Sequence, residues 1–169
     1  LANLLATGLG GTPSRGVGTF DPASPAVATD TVQVLHGDDM YEGWSGLATL
    51  DHVLLDEVLR PLAEGHQASF RMWDWVASMR THVIPVAPVQ YLVIEGVGVG
   101  ERDARPFASL VLYVDAPEAV RLERGLRRDG EHMRAQWETW QRAEEAHHQE
   151  HGTRTAADYV IDGTSEIAT

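Results

Sequence analysis

Two adjacent carboxylates, Asp38 and Asp39, stand just ahead of Tyr41 in the segment HGDDMYEGW (36–44). At the exit of a strand such a pair suits a general base for a hydroxyl proton, or a Mg²⁺ held partly through water. The alternative is an Asp cap and turn. Glu95 closes a later apolar run and either caps the strand mouth or faces the same crevice as the Asp pair. Arg121, Arg124 and Arg128 are spaced i, i+3, i+7 on one helical face, with Arg127 and Arg134 nearby. Guanidinium forks on one face fit a polyphosphate and stabilise charge on a moving phosphoryl group. The competing reading is a solvated face with Glu123 and Asp129 as partners. Trp73 and Trp75 flank Asp74, so they either stack a base or sugar whose hydroxyls the acid holds, or pack a core or lid. His147, His148 and His151 include an i, i+4 pair with zinc-like spacing, but no third ligand is evident, so they read as a solvated helix face.

The elements that must position these residues follow from periodicity. Residues 1–6 read as the tail of an amphipathic helix, and residues 7–31, with five Gly and three Pro, read as a long loop. VQVLH (32–36) has strand character, and apolar residues at 47, 50, 54, 58, 59 and 62 predict a helix from Leu47 to Glu64, ended by Gly65. Pro61 within it predicts a kink or an early stop. Residues 66–84 are mixed and aromatic-rich, with no element assigned. VQYLVIEG (89–96) and SLVLYVDAP (109–117) read as strands buried on both faces. Pro117 is expected at the first position of a helix reaching about Arg128, a polar helix is expected over 131–150, and ADYVIDG (157–163) is a last short strand. Alternation of strands and helices implies a parallel α/β sheet with ligands at the strands' carboxyl ends, where Asp38, Asp39, Glu95 and Asp115 lie.

Composition narrows the chemistry. At 169 residues, 43% hydrophobic and 22% charged, the chain is expected to form a single domain with a buried core. There is no Cys, so disulfides, thiolate nucleophiles and sulfur-ligated zinc are excluded. All 13 cations are Arg; without Lys, neither a Schiff base nor a P-loop lysine is available. A net charge of −12 argues against coating nucleic acid or an anionic membrane. No apolar run suggests a membrane span or signal peptide, and a cytoplasmic protein is the default expectation.

The order of these pieces, strand-DDMY, helix, WDW, strand-IEG, strand-VDAP, the helix RLERGLRRDGE, a polar helix and strand-DG, resembles the uridine kinase branch of the P-loop kinases. The resemblance runs from about Val32 to Thr164. It implies a three-layer P-loop NTPase α/β fold over residues 1–169, with a mostly parallel sheet and an Arg-bearing helical lid. It also implies ATP and Mg²⁺ as cofactors and a nucleoside, uridine or cytidine, as acceptor. Asp38 then matches the base toward the nucleoside hydroxyl and lies near the metal, with Glu95 helping to order the Mg²⁺ site. Asp39, Tyr41, Trp73, Asp74 and Arg80 fall on the acceptor side, although the family more often has Tyr-Asp-Phe where this chain has WDW. Arg124 and Arg128 match catalytic lid arginines, Arg121, Arg127 and Arg134 are further phosphate contacts, and a family arginine falls on Gly125. The family's G-x-x-x-x-G-K-[ST] loop is expected immediately before Leu1, so residue 1 is not expected to be the native start. GLGGTPSRG (8–16) lacks Lys, follows a helix and opens none, and is not read as a substitute. The rival expectations are a non-catalytic nucleotide-binding or structural protein and a P-loop kinase for another small alcohol.

Overall fold

The computed structural model describes residues 1–18 and 31–165; the part of the expected long loop from 19 to 30 lies outside the described residues. The chain divides into two units, Leu1–Val99 and Gly100–Thr169. In the first, helix α1 (Ala2–Gly8) packs beside strand β1 (Val32–His36). A 3₁₀ turn at Gly37–Asp39 follows, then a second at Gly43–Thr49. The expected helix from Leu47 is in fact a wide π-type helix at His52–Leu59 that tightens into α2 (Arg60–Ala63). Pro61 does not stop the run at its own position, since the helix continues to Ala63; it lies at the second place of α2, where the π-type turn changes to α. Val53, Leu54, Leu55 and Val58 are buried from this helix, against a β-hairpin of β2 (Ala68–Asp74) and β3 (Met79–Val86).

That hairpin occupies the stretch left unassigned. Ala68, Phe70 and Met72 point inward while Ser69 and Arg71 face water, a period of two that identifies a half-buried strand. The Asp74 carboxylate accepts from the Val76 and Ala77 amides at 2.9 and 2.8 Å, and Ser78 takes a left-handed φ of 51°, which together turn the chain into β3. Strand β4 (Tyr91–Glu95) then pairs in parallel with β1, Val32 opposite Tyr91 and His36 opposite Glu95. Gln33 ties this ladder to the hairpin, donating to Pro85 O at 2.9 Å and accepting from Ala87 N at 2.8 Å.

The second unit holds a 3₁₀ turn (Arg105–Phe107), strand β5 (Leu112–Asp115), helix α3 (Glu118–Asp129), helix α4 (Arg134–His151), the short helix α5 (Thr153–Ala156) and strand β6 (Tyr159–Asp162). β5 and β6 are parallel, Asp115 opposite Asp162. Pro117 is the N-cap of α3, one place before the position expected of it, and a 3₁₀ turn at Glu131–Met133 precedes α4.

Helices and two parallel strand pairs fit an α/β fold, but β2 to β5 follow one another with only a 3₁₀ turn between β4 and β5, so the expected regular alternation does not hold; among the described residues the strands pair two by two, and β2–β3 is antiparallel. β4 and β5 are consequently not buried on both faces. Tyr91 is 40% exposed and Val114 50%, and each strand has one hydrogen-bonded neighbour among the described residues. No described helix is long and apolar enough to cross a membrane.

Helices α3 and α4 meet where Gly125, buried, receives the Trp137 ring; a Cβ at that position comes within 2.5 Å of Trp137 Cε2. An arginine there is excluded by the same ring, which accounts for the glycine. Gly125→Ala is expected to lower stability by about 1 kcal/mol or more, overpacking outweighing the better helix propensity of Ala. Urea unfolding measures this, and an unchanged or raised midpoint contradicts the packing described.

Candidate functional site

In a parallel ladder, register partners project to the same face, so the pairing of β1 with β4 brings His36 and Glu95 together beyond the last rung. His36 Nδ1 lies 2.5 Å from Glu95 Oε1, and His36 Nε2 lies 2.6 Å from Ser14 Oγ. The Glu95 bond raises the His36 pKa; burial opposes it, and the charges of Glu95, Asp39 and Asp38 add to it. His36 and Ser14 were not among the residues expected at the site. A histidine ending a strand opposite an acid is recognised only once the register is known.

Asp38 and Asp39 occupy the 3₁₀ turn that leaves β1. Asp38 is half-buried, and its backbone carbonyl accepts from the Trp75 indole N–H at 2.9 Å. Asp39 is only 5% exposed, and burial pushes its carboxyl up to about 6, while the Gly18 amide, donating at 2.8 Å, and His36 pull the other way. The more deeply buried acid is therefore the second of the pair. Tyr41 is 1% exposed and lies beneath the turn, its hydroxyl donating to Val97 O. A Cβ at Gly37 comes 2.9 Å from that hydroxyl, and a Cβ at Gly46 comes 2.8 Å from the Tyr41 backbone, so Tyr41 is clasped by two glycines.

The aromatic segment arrives from the hairpin. Trp73 ends β2 beside Gly43, and Trp75 meets Trp44 edge-on with centroids 5.9 Å apart. Asp74 spends its carboxylate on the hairpin turn. Arg80 joins Glu42 at 2.9 Å, Arg71 O at 2.7 Å and Met40 O at 3.1 Å, clamping the hairpin to the chain that follows Asp38 and Asp39. The structure thus gathers Asp38, Asp39 and Glu95 with Trp75 and Arg80 in the first unit.

The five arginines expected to contact phosphate, all in the second unit, are engaged with different partners. Arg121 bonds Ala116 O and Glu144, while Arg124 donates to Gly163 O at 2.6 Å and Thr164 O at 3.2 Å. Arg127 pairs with Glu123, and Arg134 with Glu131 at 2.5 Å. Arg128 is bidentate on Asp129 at 2.7 and 3.0 Å, holding that carboxyl below the usual range.

Asp38, Asp39 and Glu95 carry oxygen donors, the type that suits Mg²⁺, but among the described residues their ligand atoms are not drawn together closely enough to share one ion. The glycine-rich loop is different. The amides of Gly10, Gly11, Gly16 and Gly18 donate to Thr7 O, Ala6 O, Ser14 Oγ and Asp39 Oδ1, so this loop does not present them to a triphosphate.

No protein-family model and no curated protein matches the chain. Among solved structures, 26 chains match. One is described as a possible uridine kinase from Bacillus stearothermophilus, at TM-score 0.52 and 21% identity, covering 78% of this chain and 72% of that one. At this identity the likeness is one of fold alone, and the chain shares an α/β fold with that protein.

The Asp39 carboxyl gives a pH test. A pKa raised from 3.8 unfolded to about 6 folded contributes stability that is complete below pH 3.8 and is lost as pH rises through about 6. Asp39→Asn keeps an acceptor for the Gly18 amide and removes this loss. The variant is expected to match wild type near pH 4 and to exceed it by about 1–3 kcal/mol at pH 7. Thermal unfolding across this range measures the difference, and equal stability at pH 7 rules out a buried, desolvated carboxylate.

Proposed function

We propose that the chain transfers a phosphoryl group to the hydroxyl of a nucleoside, uridine or cytidine, with Asp38 orienting that hydroxyl and accepting its proton. The observation that carries this reading is the gathering of Asp38, Asp39, His36 and Glu95 beyond the carboxyl ends of two adjacent parallel strands, where ligands of open α/β folds bind. The fold shared with the possible uridine kinase supports it. A bound nucleoside triphosphate with Mg²⁺ supplies the phosphoryl group, and Asp38 and Glu95 offer oxygens to the metal. On the acceptor side Asp38 takes the proton, Asp39 and Arg80 hold the turn and hairpin in place, and Trp73 and Trp75 present faces to a flat base. Arg124 and Arg128, with Arg121, Arg127 and Arg134, are assigned to phosphate charge, exchanging their present partners for it. The triphosphate cradle is assigned to no described residue.

A second reading is a nucleoside- or nucleotide-binding protein without turnover. It is favoured by the internal use of the loop amides Gly10, Gly11, Gly16 and Gly18.

Transfer of radiolabelled phosphate from ATP to uridine or cytidine separates the two. Asp38→Asn is expected to lower kcat at least ~10²-fold with uridine affinity near wild type. Full activity of that variant removes Asp38 from the role, and saturable nucleoside binding without transfer supports the second reading.

Uridine is expected to quench the tryptophan fluorescence, and Trp73→Ala to weaken its binding about tenfold, since one stacked base contributes roughly 1–3 kcal/mol. Ribose should not compete. Equal binding of ribose and uridine overturns the nucleoside assignment.

A further inference from the structure

We propose that the second unit carries a binding site for a divalent transition-metal ion, of the Zn²⁺ class, formed by Glu101, His147 and His151. It shares no residue with the phosphoryl-transfer proposal. His147 and His151 are one helical turn apart on α4, and their rings stack at 4.2 Å between centroids and 20° between planes. Glu101, near the start of the unit, supplies the third ligand that the helix alone lacks. One ligand atom from each of the three residues lies within 4.8 Å of the other two.

Three observations favour an ion over a plain polar contact. First, Glu101 is 3% exposed, and its Oε1 has no hydrogen-bond partner among the described residues; His147 Nδ1 is likewise buried and unpartnered. A carboxylate buried in this way is costly unless a cation or donors satisfy it. Second, Glu101 Oε2 and His147 Nε2 are 3.7 Å apart. That is too long for a hydrogen bond, but close to the ~3.4 Å that separates two donors on one tetrahedral ion with ~2.1 Å bonds. Third, the His147 side chain is only 11% exposed, so the expected solvated histidine face is mostly covered.

Two imidazoles and one carboxylate select a borderline ion such as Zn²⁺ over Mg²⁺, which prefers oxygen alone. Three protein ligands leave a fourth position open to water or to a ligand. The Arg102 amide lies 3.3 Å from His151 Nδ1. A neutral imidazole cannot accept there and also ligate through Nε2, so this long contact gives way when His151 takes the ion. His148, adjacent in sequence, faces Tyr113 and Glu144 and lies outside the set.

Titration of the chelator-treated, tag-free full chain with Zn²⁺ by calorimetry, and with Co²⁺ by visible absorption, tests the site. One ion per chain is expected to bind with Kd of ~1 μM or tighter. The Co²⁺ complex should show the intense visible bands of four-coordination, and millimolar Mg²⁺ should not compete. Glu101→Gln and His151→Ala should each weaken binding at least ~10-fold, and His148→Ala should leave it unchanged. If Glu101→Gln does not fold, His151→Ala and His147→Gln carry the same test. The absence of saturable Zn²⁺ binding overturns the proposal and leaves Glu101 and His147 in a plain polar contact. Binding that survives His151→Ala, or that is lost equally in His148→Ala, also overturns it.

Discussion

Everything at the candidate site in the first unit depends on the register of one parallel ladder. Because Val32 pairs with Tyr91, the last rung falls at His36 and Glu95, and the two side chains have no choice but to meet. A slip of one strand by one residue turns its side chain to the opposite face and separates the acid from the base. The 2.5 Å contact then fixes the imidazole between Glu95 and Ser14, so the loop after α1 is held against the mouth of β1. Gly18 reaches Asp39 from the same loop, and the 3₁₀ turn carrying both aspartates is pinned from both sides. One backbone alignment thereby sets the electrostatics of four titratable groups.

What was legible beforehand was whatever repeats along the chain. The strands at 32–36 and 91–95, the helix from Glu118 and the break at Gly65 follow from apolar spacing and from Gly and Pro. The hairpin at 68–86 escaped because its alternation is carried by Ala68, Phe70 and Met72 amid Trp and Asp residues that suggest chemistry instead. The aspartate pair was visible as an acidic pair, but which member is buried is decided by tertiary packing. Burial from other elements leaves no trace at positions 38 and 39 themselves. Glu101 was invisible for the same reason: it lies 46 positions before His147, and only the fold closes that gap.

The two units use charge in contrasting ways. In the first, acids gather at a strand end with His36 Nδ1 2.5 Å from Glu95, and burial drives the Asp39 carboxyl upward. In the second, Arg127 and Arg128 of α3 answer acids on their own helix, as in the Arg128–Asp129 pair with the guanidinium 5.6 Å above the Trp137 ring, while Arg121 reaches Glu144 on α4 and Arg124 the carbonyls of Gly163 and Thr164. Exposed pairs such as Arg127–Glu123 contribute little to stability.

The clasp around Tyr41 bears on how such a chain can diverge. Positions 37, 41 and 46 share a single volume: the hydroxyl of Tyr41 closes on Gly37, and its backbone closes on Gly46. A methyl group at 37 is compatible only with a smaller ring at 41, and a methyl group at 46 with a displaced main chain. Drift at these sites is therefore ordered in time, with loss of the Tyr41 hydroxyl opening the route to a larger residue at 37 and the reverse order closed. Lineages that keep the tyrosine inherit both glycines as a fixed set, whatever the acids above them come to do.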